Sequence, residues 1–182
     1  MRFTQRGIKL LALSWLMVNL HTDNAVFAQT LISDMEGKWE GTMISTNFQH
    51  EAAPVKVTME IEAISAREWK WLTIYEENKA KQWPRVEKNY RMICVDSTKT
   101  PFHLIEDDGF TIFFSPFDNQ LTGTFLVDRE EGTDVFQCTY TLNHERELCF
   151  TLSGFTLPMH KTVMGEMAPN FFQKTILQKK IN

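Results

Sequence analysis

The chain has 182 residues, 43% of them hydrophobic, and a formal net charge of −4. A mildly acidic chain with no basic stripe lacks the electrostatic footprint of a nucleic-acid or anionic-membrane binder. Its length suits one domain, and a domain of that size buries enough surface to hold a core without disulfide staples.

The first 28 residues read as a targeting segment rather than as part of the fold. Arg2, Arg6 and Lys9 form a basic start, and Leu10 to Leu20 is an apolar run too short to span a bilayer comfortably. Val26-Phe27-Ala28 offers a cleavage site, so the expected mature chain begins at Gln29 and is secreted or periplasmic. That segment holds three Lys/Arg and one acid, so residues 29–182 carry −6 against −4 for the whole. No Cys lies near the cut and no later apolar run reaches about 18 residues, so neither a lipid anchor on a cleaved Cys nor a spanning helix is expected.

The remainder reads as one domain of about eight to ten short strands. Leu31 to Glu36 is a lead-in, read as a helical turn that plugs one end. Lys38 to Asn47 is the first strand, with Trp39, Gly41 and Met43 on one face. After a loop from Gln49 to Pro54, Lys56 to Ala63 alternates cleanly: Val57, Met59, Ile61 and Ala63 share a dry face with Val55, against Lys56, Thr58, Glu60 and Glu62. Ser65 to Arg67 turns the chain, and Glu68 to Glu76 follows with Trp69, Trp71, Thr73 and Tyr75 aligned. Glu77 to Pro84 is a loop. Val86 to Val95 carries Tyr90, Met92 and Cys94 on one face, and Asp96 to Lys99 is a turn.

Phe102 to Glu106 and Phe110 to Ser115 flank Asp107-Asp108-Gly109, a strong hairpin signal. A turn from Pro116 to Gln120 leads to Leu121–Asp128, with Leu121, Gly123, Phe125 and Val127 on one face. Arg129 to Thr133 turns into a hairpin of Asp134–Leu142 and Glu147–Phe155. Leu157 to Asn170 is irregular, and Phe171 to Lys180 is the closing strand. An unbroken series of neighbouring hairpins with no long helix predicts an all-β, up-and-down antiparallel barrel, since closure removes exposed strand edges.

The three cysteines are Cys94, Cys138 and Cys149. Matching the apolar faces of the last hairpin turns Cys138 inward and Cys149 outward, which argues against a bond between them. One bulge would reverse that parity, so the pairing stays open.

The opening motif Gly37-x-Trp39, at the head of a strand-only meander, resembles the lipocalin and wider calycin signature. Gly37-x-Trp39-x-Gly41-Thr42 is similar to the start of small secreted bacterial proteins of lipocalin-like layout. The resemblance implies a Trp packed across the closed barrel end with a basic residue over its indole. Lys174 on the last strand is the nearest candidate for that residue, since no Arg follows Arg146.

Function is weighed on the inward face, which holds Met59, Ile61, Trp69, Trp71, Tyr75, Tyr90, Met92, Phe110, Ile112, Phe114, Phe125, Phe136, Tyr140 and Phe150. These side chains either line a pocket for one small hydrophobic molecule or fill the barrel outright. For a pocket, Met59, Ile61, Trp69, Trp71, Tyr75, Tyr90 and Met92 are the expected ligand-binding residues, with Trp69, Trp71, Tyr75 and Tyr90 forming the wall because they bring polar tips as well as apolar faces.

No nucleophile–base pairing or phosphate loop appears, so an enzyme is not expected. Glu106-Asp107-Asp108 reads as a solvated turn. Neither metal nor cofactor is expected. His160, in a loop with Met159, Met164 and Met167, is the one haem-ligand candidate. The expected partner is an unidentified small hydrophobic molecule. The alternatives are an interaction protein with a filled barrel, or an enzymatic or haem-binding relative.

Overall fold

The computed structural model describes residues 30–47, 50–51, 54–79, 83–95, 102–130, 132–158 and 171–180. The targeting segment, the turn expected at Asp96–Lys99 and His160 lie outside the described residues. The strands are β1 (Gly37–Asn47), β2 (His50–Glu51), β3 (Val55–Ser65), β4 (Glu68–Tyr75), β5 (Val86–Cys94), β6 (Phe102–Glu106), β7 (Thr111–Phe117), β8 (Gln120–Arg129), β9 (Gly132–Leu142), β10 (Leu148–Pro158) and β11 (Phe171–Lys179).

Every pairing is antiparallel, and each strand after β3 pairs with its neighbour in sequence. β3 pairs with β1, and β1 pairs with β11, so ten strands form a closed up-and-down barrel. The two-residue β2 adds only to the far end of β1. Closure is possible because the alternating strands all turn one apolar row inward, where Met59, Trp71, Met92, Leu104, Phe114 and Leu121 form one core.

Several details depart from the sequence reading, among them the turn expected from Arg129 to Thr133, where β8 runs to Arg129 and β9 starts at Gly132. The turn expected from Pro116 to Gln120 is only Asp118-Asn119, with Asp118 at φ 51°, and β7 runs on through Pro116 and Phe117. Among the described residues β6 pairs with β7 only as far as Phe114, and Pro116 pairs with Leu121 of β8 beyond that point. β10 likewise continues to Pro158, past the expected end at Phe155. Ala63 is exposed rather than dry, next to a register shift between β3 and β4 at Ala63/Ser65.

One end of the barrel is sealed. Residues 30–35 form a helical turn that buries Leu31, Ile32 and Met35 and leaves Ser33 and Asp34 exposed. Trp39 lies buried beside it, its indole Nε1–H donating to the Met35 carbonyl at 2.8 Å. That bond satisfies a backbone acceptor otherwise orphaned at the end of the turn. Trp69 Nε1–H donates to Glu36 Oε1 at 3.0 Å, tying the turn to β4.

The cation over the Trp39 ring is Lys179, its Nζ 5.3 Å from the ring centroid, and not Lys174. Lys179 is the register partner of Trp39 across the β1–β11 seam. Lys174 stands at odd offset from Lys179, so it points to the outer face, where it is exposed.

The motif glycines serve this seam. A Cβ on Gly41 would lie 1.9 Å from the Ile176 carbonyl oxygen, so only glycine permits this approach of β1 to β11. Gly37 has φ +125°, and a Cβ there would meet the Lys179 Cε at 2.7 Å, the same side chain that covers Trp39.

Candidate functional site: the open half of the barrel

The interior changes character along its axis. Next to the plug it is solid: Trp69 and Met92 are buried together with Ile61, Phe102, Leu148 and Leu177. Midway, Trp71 of β4 and Tyr140 of β9 meet with ring centroids 4.9 Å apart. In the ring of ten, β4 and β9 are five strands apart, on opposite walls. Their contact therefore closes the lumen at that level. Phe114 and Phe150 thicken it, 5.7 and 4.6 Å from Tyr140.

Beyond this floor the described residues leave a space that they do not fill. At the end opposite Trp39, a cavity of about 560 Å³ is walled by Phe125, Phe136, Leu152 and Phe171, with Gly132 and Phe155 also bordering it. Phe125 and Phe136 stack at 5.0 Å, Phe110 meets Phe125 edge-on at 5.2 Å, and Phe171 meets Phe136 at 6.4 Å. The result is a collar of rings around an opening of drug-sized volume. Arg129, Asp134 and Thr156 complete the lining. Arg129 pairs with Asp134, whose other carboxylate oxygen, Oδ1, accepts from the Thr156 hydroxyl at 2.6 Å.

The residues expected to form the wall divide between these levels. Met59, Ile61, Trp69, Trp71 and Met92 are buried in the packed core. Tyr75 and Tyr90 are half-buried, and Tyr90 sits in register with Glu106, whose carboxylate is bound by Lys88. Ile112 is buried, also in the core. The collar instead comes from β8 to β11. Phe125 and Phe136 stood in the inward row read from sequence, whereas Arg129, Asp134, Thr156 and Phe171 were not singled out. Their signal is parity: Arg129 extends the row Phe125–Val127, and Asp134 extends the row Phe136–Cys138.

Burial governs the titrating groups of the interior. It pushes the Tyr75 and Tyr90 phenols up and raises Tyr140 well above its ordinary value, so all three stay neutral. A hydrogen bond from the Gln173 side chain partly offsets the shift at Tyr75. The Cys138 thiol is pushed up to about 12, again by burial. Trp71 Nε1 is a buried donor with no hydrogen-bond partner among the described residues. Cys138 faces inward and Cys149 is paired in register with Thr141 on the other face, so the two are not bonded. Among the described residues, no cluster of three or more His, Cys, Asp or Glu has the geometry to hold a metal ion.

These features provide a largely apolar, aromatic chamber with one ion pair and the Thr156 hydroxyl in its lining, a space that could hold a small molecule. Compared with protein-family models and with curated proteins, the sequence matches none.

Proposed function

We propose that this chain is a secreted or periplasmic, lipocalin-like binding protein that takes a small hydrophobic molecule into the open half of its barrel. The carrying observation is the cavity of about 560 Å³ behind the collar of Phe125, Phe136, Leu152 and Phe171. A chamber of that size and lining suits one drug-sized apolar ligand. The lipocalin-like reading is supported by Gly37-x-Trp39 at the sealed end with a last-strand cation over the indole, and the export reading by the N-terminal pattern.

A second reading, a barrel serving as an interaction scaffold, draws on the solid half beneath Trp71 and Tyr140. Titration with the neutral fluorophore N-phenyl-1-naphthylamine separates the two. The binding reading expects saturable 1:1 enhancement that is lost in Phe136→Arg, with the barrel's circular dichroism retained. No saturable enhancement in the wild-type protein would overturn it and leave the scaffold.

A further inference from the structure

We infer that the chamber selects uncharged ligands bearing a polar, hydrogen-bonding end over the corresponding carboxylates, because Arg129, the cation in its lining, is already balanced by the enclosed Asp134 carboxylate, as Lys88 is by Glu106 at the same end of the barrel. This inference rests on the proposed ligand-binding reading and narrows it to a chemical class.

Four charged side chains lie on inward rows at the open end among the described residues: Lys88, Glu106, Arg129 and Asp134. They form two pairs, Lys88 with Glu106 and Arg129 with Asp134. Each pair has the same polarity of burial. The acids are nearly enclosed, at 13% side-chain exposure for Glu106 and 12% for Asp134. The cations lean outward, at 38% for Lys88 and 63% for Arg129. Thr156 holds Asp134 on the remaining oxygen.

A ligand carboxylate that replaced Asp134 or Glu106 on its cation would strand that protein carboxylate, and one that bound beside the pair would sit against a like charge. Leaving that acid charged and unpartnered in an enclosed site is strongly unfavourable. A bare carboxylate placed among the rings without a cation fares no better.

A neutral dipole meets the opposite situation. The collar of Phe125, Phe136 and Phe171 accepts an apolar body. The lining itself supplies the Thr156 hydroxyl and the guanidinium of Arg129, which meets Asp134 through Nε and has further N–H groups to offer. A carbonyl, amide or hydroxyl finds partners there and brings no net charge.

The test displaces bound N-phenyl-1-naphthylamine with a matched set at pH 8: dodecanol, dodecanamide and dodecanoate. For the wild-type protein, the two neutral compounds are expected to displace the probe at least about tenfold more tightly than dodecanoate. Greasiness alone also favours neutral molecules, so the deciding measurement uses Asp134→Asn and Glu106→Gln, each of which frees a cation. Dodecanoate affinity is expected to rise about tenfold in at least one variant, with dodecanol affinity unchanged. Equal wild-type affinity for dodecanoate and dodecanamide would overturn the inference while leaving ligand binding intact. So would a folded pair of variants that gain nothing for dodecanoate. Failure of the probe itself to bind would remove the binding reading and this inference together.

Discussion

The rings of Trp71 and Tyr140, carried by strands on opposite walls, meet with centroids 4.9 Å apart and divide the described barrel into a solid half and a half that keeps a cavity. The division carries the functional reading, because a barrel of this kind either fills itself or keeps room for a ligand, and here each half does one of these. Trp71→Ala removes the floor from one side and is expected to destabilise by about 3–5 kcal/mol. Trp71→Phe keeps an aromatic floor and deletes the unpartnered indole N–H, so its loss should be no more than about 2 kcal/mol, since an unmet buried donor itself costs about 1–3 kcal/mol. Urea unfolding of both variants checks the ordering.

Lys179 and Trp39 supply a second test. Lys179→Gln should lose about 0.5–2 kcal/mol of cation–π attraction and shift the Trp39 emission, whereas Lys174→Gln on the outer face should leave both unchanged. Equal effects from the two substitutions would contradict the assignment of the stacked cation.

Gly41→Ala tests the seam. Its Cβ would press on the Ile176 carbonyl, and backbone does not yield as a flexible side chain does. The expected loss is at the upper end of overpacking, about 3 kcal/mol, read from the urea midpoint. Loss of protection in the β1 and β11 amides by hydrogen exchange would locate the damage at the closure.

The buried phenols and Cys138 predict alkaline sensitivity. In the folded chain these groups stay protonated above the pH at which they ionise once unfolded. The unfolded state therefore releases more protons at high pH, and stability falls as pH rises. The stabilisation is intact below about pH 7.5, where unfolded thiol and phenol are still largely protonated. It should decline from about pH 8 upward through the thiol and more steeply above about pH 9 through the phenols, with phenolate absorbance appearing together with unfolding rather than before it. Tyr140→Phe should make the decline shallower. Ordinary titration of all three tyrosines in the folded protein would show that they are not enclosed.

The two late-strand cysteines should separate by reactivity. Cys138 is buried with its thiol pushed up to about 12, and is expected to resist alkylation at pH 8 in the folded protein. Cys149 is only half-buried, and its thiol is raised chiefly by burial and also by Glu147, so it should react slowly. Mass spectrometry after iodoacetamide treatment distinguishes a single slow adduct from the immediate triple modification of an open barrel, in which Cys94 reacts too.

What the sequence determined by itself is the alternation. Period-two rows such as Val55, Val57, Met59 and Ile61 are a property of the extended chain, so strand identity, inward faces and the inward turn of Cys138 could be read before any contact was known. The lead-in read as a helical turn from Leu31 to Glu36 is where residues 30–35 bury Leu31, Ile32 and Met35. Tertiary structure decided everything that depends on which rows meet across the lumen. Alternation says that Trp71 and Tyr140 both point inward, but only the ring of ten strands sets them against each other. It also decided that Lys179 rather than Lys174 covers Trp39, because register along the seam selects one residue from a row. The chamber moved to β8–β11 for a volumetric reason. The bulky Trp69, Trp71 and Met92 of β4 and β5 fill the space next to the plug, and the room that remains lies at the other end.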